Sequence, residues 1–210
     1  MIKIKHICLV LFVLITEPSL GQARMNAEEQ RAFQQHVEKE MLRIVSIKCD
    51  FDMQRYISVL REPIQASGVF LLKEQKMMLR YNSPQQNSIF LNQDMLYLLE
   101  ENGTISTKDL NKNRKFRQLK RLIASMNGNT IFDESTFQFK FLKDATENIV
   151  IAQPKQKDLL SFIKEIILTF KQGEYNVSEI KIVEPTNDYI IFKLKNKKFN
   201  IVLSDSEFKL

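Results

Sequence analysis

The sequence predicts a mainly β (α+β) protein of about eleven locally connected antiparallel strands with about three helices. Three observations predict it. Apolar and polar residues alternate with period two over most of the chain beyond residue 46. Turn chemistry such as Asn82-Ser83-Pro84, Asn92-Gln93-Asp94 and Asn102-Gly103 separates the alternating runs. Helical periodicity is confined to three segments.

The chain opens on a basic stretch, Lys3, Lys5 and His6, followed by an apolar run from Ile7 to Ile15 and a polar turn at Thr16, Glu17 and Pro18. That order is the grammar of a secretory signal. The run is too short to cross a bilayer core of about 30 Å as a helix. Gly21 and Ala23 place small residues three and one before a cut after Ala23. Residues 1–23 are therefore expected to be a cleavable signal peptide and 24–210 a single domain in the periplasm, large enough for its own core.

Loss of Lys3, Lys5 and Glu17 with the signal takes the formal charge from +6 to +5. Export argues against nucleic acid as a partner of these lysines, most of which alternate with apolar residues. The dense cluster Lys112, Arg114, Lys115, Arg117, Lys120 and Arg121 reads either as a solvated helix face or as a docking patch for anionic headgroups or an acidic partner. Cys8 lies in the signal and follows Lys5, His6 and Ile7 rather than the small residues of a lipid-attachment site. Cys49 is then the sole cysteine of the mature chain, so no internal disulfide can form and stability must come from packing. A monomer free in solution is expected.

Phe33, Val37, Met41, Ile44 and Val45 recur at helical spacing and predict an amphipathic helix over 26–46. From Ile47 the period changes to two. Strands are expected from 47, then at 64–73, 76–82, 87–92, 94–100 and 104–109. A second helix is expected over 114–126. Strands resume at 136–142 and 148–152, a short helix follows Pro154 at 157–164, and four strands close the chain at 166–171, 177–183, 189–195 and 198–204, the last two joined by a lysine-rich turn at 195–197. Val69–Leu72, Ile89–Leu91, Leu96–Leu99 and Tyr189–Phe192 are apolar on both strand faces. A sheet with one wet face alternates more cleanly. Either helices complete an ordinary core, or one face lines a ligand cavity.

Catalytic chemistry is scarce. His36 and Cys49 are the mature chain's single histidine and single cysteine, too few for a zinc or copper site or a histidine-based triad, and no Gly-x-Ser-x-Gly elbow occurs. Glycines 68, 103, 128 and 173 stand alone, which removes a phosphate loop. Glu100 with Glu101 and Asp133 with Glu134 sit in or beside turns and read most simply as solvating charges, the alternative being two acids that face one cleft as in a glycosidase. No catalytic residue, metal or cofactor is assigned.

The order of helix, Asp50-Phe51 strand, Pro63-Ile64-x-x-x-Gly68-x-Phe70, Leu79-Arg80-Tyr81-x-x-Pro84 and a hairpin at Asn92 resembles the outer-membrane lipoprotein carrier family, LolA, in its Bacteroidetes-type members. Gln153-Pro154-Lys155, the apolar strand Ile167 to Phe170 and the closing run Glu184 to Phe208 extend the resemblance over residues 26–208. It implies an incomplete, strongly curved antiparallel barrel whose apolar concave face is closed by helices acting as lid or plug, which favours the cavity reading. Met53 and Leu79 depart from the family's usual Gln and Trp, and the chain has no Trp. Lys73 stands near a lid arginine of the family.

The implied function is a periplasmic chaperone that shuttles acylated lipoproteins from inner to outer membrane, or a paralogous carrier of a glycolipid, polyene ester or other free lipid. Implied partners are the lipoproteins, an inner-membrane ATP-driven transporter that loads them and an outer-membrane acceptor. The lipid-binding candidates are Lys73, Met77, Leu79 and Tyr81, which share strand parity if their turn keeps register, with Phe116, Leu119, Ile123 and Met126 as the lid face and Phe162 and Ile163 from the third helix.

Overall fold

A computed structural model describes residues 21–112 and 131–210. The expected helix 114–126 and most of the expected signal lie outside the described residues. Chain order runs β1 (Ala23–Arg24), α1 (Ala27–Leu42), β2 (Ser46–Tyr56), β3 (Ile64–Lys73), β4 (Lys76–Ser83), β5 (Asn87–Asn92), β6 (Met95–Leu99) and β7 (Ile105–Asp109). It continues through β8 (Phe137–Lys143), β9 (Glu147–Pro154), α2 (Lys157–Leu160), β10 (Glu165–Lys171), β11 (Glu179–Val183) and β12 (Tyr189–Phe199), and ends in a 3-10 turn at Asp205–Phe208.

These twelve strands form one curved, unclosed antiparallel sheet in the order β1-β8-β9-β10-β11-β12-β2-β3-β4-β5-β6-β7. Its two halves, β2–β7 and β8–β12, are meanders with sequential neighbours. The pairing of β12 with β2 welds one to the other, from Tyr189 opposite Tyr56 to Phe199 opposite Ile47.

Helix α1 starts where its sequence permits. The Asn26 side chain accepts from the Glu28 and Glu29 amides at 2.9 Å, and Glu29 accepts from the Asn26 amide at 3.0 Å, a complete capping box. Phe33 and Val37, one turn apart, bury against Phe141, Val150 and Phe170 of β8, β9 and β10. The helix ends at Leu42, short of the expected 46, because Asn200 intervenes from the far end of the chain: its side chain donates to the Arg43 carbonyl at 2.9 Å and accepts from the Val45 amide at 2.8 Å. That clamp turns the backbone into β2.

Two further expectations change. The predicted lysine-rich turn at 195–197 is a bulge within one continuous strand, since β12 keeps pairing with β2 on both sides of a register shift between Lys195 and Lys198. The expected strand 198–204 accordingly ends at Phe199; Asn200, with φ of 56°, turns the chain away from the sheet edge. The predicted third helix also stops at Leu160, with Ile163 still bonded back to Leu159 at 2.8 Å.

The tail so released crosses one face of β3–β5. Leu203 and Phe208 bury against Leu71 and Met78, with Ile201, Val69 and Phe90 around them. Polar contacts tie down its backbone and carboxylates: Lys73 Nζ donates to the Leu203 carbonyl at 2.9 Å, and Arg80 donates to that of Glu207 at 2.7 Å. Lys48 pairs with Glu207 and Lys76 with Asp205, each at 2.8 Å. One face of the doubly apolar runs Val69–Leu72 and Ile89–Leu91 is thus covered by the chain's own C-terminal segment. We call it the outer face; α1 and α2 lie on the inner one.

Truncating Phe208 to Ala should cost about 3 kcal/mol, read as a shift in urea midpoint without change in slope. The Lys76 and Lys48 ammonium groups hold the Asp205 and Glu207 carboxyls below the ordinary carboxylate range. A depressed folded-state value stabilises the contact above the ordinary range, and that contribution is lost as pH falls through it. Tail docking should therefore hold at neutral pH and loosen below about pH 4, seen as faster amide exchange at residues 201–208.

Candidate functional site

Register assigns each strand residue to a face, because directly opposed residues in an antiparallel ladder point the same way. Phe51 on β2 opposes Gly68 on β3, which opposes Tyr81 on β4; on the other side Met53 opposes Phe192 on β12. Extending these rows places Cys49, Phe51, Met53, Phe70, Leu72, Met77, Leu79, Tyr81, Ile89, Leu91, Ile180, Ile182, Ile190, Phe192 and Leu194 on the inner face. The face is continuous and apolar from β11 to β5. Cys49, Phe51, Met53 and Leu91 are buried, while the others are half-buried.

A glycine organises its centre. The Phe51 ring lies edge-on to Tyr81 two strands away, with centroids 5.2 Å apart and planes at 82°, and meets Phe192 on the neighbouring strand at 5.7 Å and 70°. Contact across an intervening strand requires that β3 place no side chain between them. Gly68 satisfies this: a Cβ there would stand 2.8 Å from the Phe51 ring and 2.0 Å from the Arg80 carbonyl oxygen of β4. Burial pushes the Tyr81 hydroxyl's pKa upward, as expected for a phenol set in an apolar wall.

Met77, Leu79 and Tyr81 share this face, as their parity predicts. Met77 packs beside Leu91, Leu96 and Leu110, with Ile89 and Leu98 on the same cluster. Lys73 does not share it. The turn of Glu74 and Gln75 puts Lys73 directly opposite Lys76, so Lys73 points to the outer face, where it holds the Leu203 carbonyl. A one-residue difference in register reverses a side chain's face. Lys73 is a tail anchor and belongs to no wall with Met77.

At the other end of the inner face, Ile163 packs on Phe137, Ala152, Leu159 and Ile166, and Phe162 is half-buried beside it. Phe116, Leu119, Ile123 and Met126 lie outside the described residues. The sequence reading missed Phe192, Ile190, Ile180 and Ile182 as wall residues. The doubly apolar run Tyr189–Phe192 was their visible signal, but only the β12–β2 pairing says which of its sides turns inward.

The polar groups singled out by the sequence are arranged as structural elements. The exposed His36 stacks on Tyr175 at 4.7 Å, and its Nδ1 is 2.7 Å from the Ala32 carbonyl. Burial raises the Cys49 thiol pKa to about 11, the opposite of a reactive thiolate. Asp133 accepts bonds from Ser135 and Thr136 in a turn. Glu100 and Glu101 border an open depression of about 640 Å³ whose rim includes Gln85, Asn87 and Asn102 and whose lining reaches Ile89 and Leu98 at the edge of the inner face. Among the described residues no group of three or more His, Cys, Asp or Glu is placed to hold a metal, and no helix is long and apolar enough to cross a membrane.

Replacing Gly68 with Ala should destabilise the fold by about 1–3 kcal/mol, since the added methyl must displace either backbone of β4 or the Phe51 ring. Chemical denaturation measures the loss, and a change in near-ultraviolet dichroism reports the displaced aromatic pair.

No protein of curated function matches this sequence. Solved structures align over most of it at low identity. A LolA-superfamily protein from Nitrosomonas europaea is 7% identical, with TM-score 0.45 over 86% of this chain and 97% of the other. The lipoprotein LppX of Mycobacterium tuberculosis is 10% identical, with TM-score 0.42 over 83% and 98%. The Pseudomonas aeruginosa MucA/MucB complex is matched at 5% identity and TM-score 0.45 over 86% of this chain and 61% of the other. The family described as outer membrane lipoprotein carrier protein LolA matches residues 43–210, from the clamp that turns α1 into β2 through strands β2–β12 to the docked tail; the chain belongs to that family.

Proposed function

We propose that the protein is a periplasmic chaperone that receives acyl chains of lipoproteins on the inner face of its sheet and carries them from the inner to the outer membrane. The observation that carries this reading is the continuous apolar inner face from β11 to β5, most of whose side chains are only half-buried, in a chain of this family. Its wall is suited to mobile chains: Met53 and Met77 are unbranched and polarizable, and adapt to ligands of varying shape.

Each buried methylene contributes roughly 0.8 kcal/mol, so one long acyl chain supplies a gross term of about 10 kcal/mol. A carrier binding so strongly needs help at both ends of its route. Loading by an ATP-driven inner-membrane transporter and delivery to an outer-membrane acceptor meet that need, with ATP consumed by the partner. The same face would serve a glycolipid, a polyene ester or another free lipid, and the departures from family pattern at Met53 and Leu79 both fall on it.

Native mass spectrometry of the protein isolated from its own periplasm tests the proposal. Triacylated lipoproteins in the complex are expected; free lipid alone would select the second cargo, and a protein empty even after crosslinking would overturn the carrier reading. Leu79→Arg should lower co-purifying lipid at least about tenfold, because a charge placed in an apolar wall must be desolvated. Lys73→Ala should leave lipid binding unchanged while weakening tail docking.

A further inference from the structure

The inner face ends in a charged group that the carrier reading does not use. At the β12 bulge, Lys195 pairs outward with Asp52 and the Asn196 side chain donates to Asp50 at 2.7 Å. The intervening irregularity, with Asn196 at φ of 51°, sends Lys197 the other way. Its Nζ donates to the Val177 carbonyl at 3.1 Å and lies close enough to the buried Cys49 to influence its ionisation. The Lys197 side chain is 17% exposed, the lowest of any cation in the described ion pairs. Burial also lowers its pKa.

This ammonium is incompletely matched. It has three donors, and its ion-pair partner Glu174 stands 3.6 Å away, too far for a good hydrogen bond, on a side chain 42% exposed. One residue before the Val177 carbonyl, Asn176 Oδ1 is buried with no hydrogen-bond partner among the described residues. Other cations on the inner face differ: Arg55 and Lys143 sit near strand ends, 46% and 40% exposed, beside Glu184 and Glu29, and Lys108, opposite Leu96, is exposed on the edge strand β7. Above Lys197 runs an apolar track, Leu194, Phe192 and Ile190 on β12 with Ile180 and Ile182 on β11. At about 3.3 Å per residue the β12 part spans ~13 Å, enough for much of an acyl chain.

We propose that Lys197 is the head-group anchor of the inner face: it receives the anionic group, carboxylate or phosphate, of an acyl ligand whose chain lies along that track, and Glu174 is the counter-ion it gives up on loading. This deepens the free-lipid form of the carrier reading and rests on it, since the acyl anchor of a triacylated lipoprotein carries no anion. Glu174 occupies the anion's place in the free protein and, being partly exposed, can return to water when displaced. A lysine serving only to tie the 172–178 turn to β12 would be indifferent to ligand charge.

cis-Parinaric acid and its methyl ester, titrated by fluorescence into the purified mature protein, present one chain with and without a charge. The acid should bind about tenfold more tightly than the ester, the scale of a charge-assisted hydrogen bond. Lys197→Met should abolish the preference and leave ester binding unchanged, while Lys197→Arg should retain it. Glu174→Gln should raise affinity for the acid severalfold and not for the ester, a gain that a structural ion pair would not produce. Displacement of the acid by oleate or by lysophosphatidate, and not by monooleoylglycerol, identifies the anion as carboxylate or phosphate. Equal binding of acid and ester, or a preference surviving Lys197→Met, overturns the anchor and leaves the acyl-binding reading intact. Failure to bind either overturns both.

Discussion

The pairing of β12 with β2 is the interaction on which the rest depends. Each half of the sheet is a meander that could assemble from neighbouring hairpins, but only this ladder, between residues more than a hundred apart, makes one continuous inner face. Through it Phe51 meets Phe192, Asn200 reaches the backbone that ends α1, and the bulge after Lys195 falls where Lys197 turns inward. Such a non-local pairing carries a large closure cost before its contacts form. Its many consecutive opposed residues offset that cost only once both halves have their own registers.

A single open sheet whose strands are apolar on both sides must cover two faces with one chain. Here the two are treated differently. The outer face of β3–β5 is closed by a short tail that inserts Leu203 and Phe208 and is held by lysines and an arginine at its edges. Among the described residues, helices close the inner face over β8–β10, where α1 and α2 and the turn after α2 supply Phe33, Val37, Leu159 and Ile163. Between β11 and β5 the face combines the buried Cys49, Phe51, Met53 and Leu91 with side chains that remain half-buried. The described helices thus pack away from the region proposed to exchange cargo, the distribution expected where one part of a fold must stay constant and another must accommodate ligands.

The centre of the inner face shows how one backbone position shapes a surface. With a side chain at residue 68, Phe51 and Tyr81 would be separated by a ridge along β3; without one, the aromatic rings close over the strand and the wall is smooth across β12, β2 and β4. Gly68 therefore acts through close approach, and its backbone needs no positive φ.

The sequence by itself determined the predominance of strands, their local antiparallel order and nearly all their boundaries, because period-two patterning and turn residues are local signals. It also determined that Met77, Leu79 and Tyr81 share a face. Collinear motifs identified the family, later matched over residues 43–210. What only the tertiary structure decided is which apolar face is spent on the chain's own packing. Residues 198–204 read as a strand in the sequence, but Asn200 leaves the sheet edge and Leu203 and Phe208 bury on Leu71 and Met78. The directions of Lys73 and Lys197 are decided for the same reason: one turn register and one bulge, each settled by pairing with distant or adjoining strands, point the first lysine outward to the tail and the second inward beside Cys49.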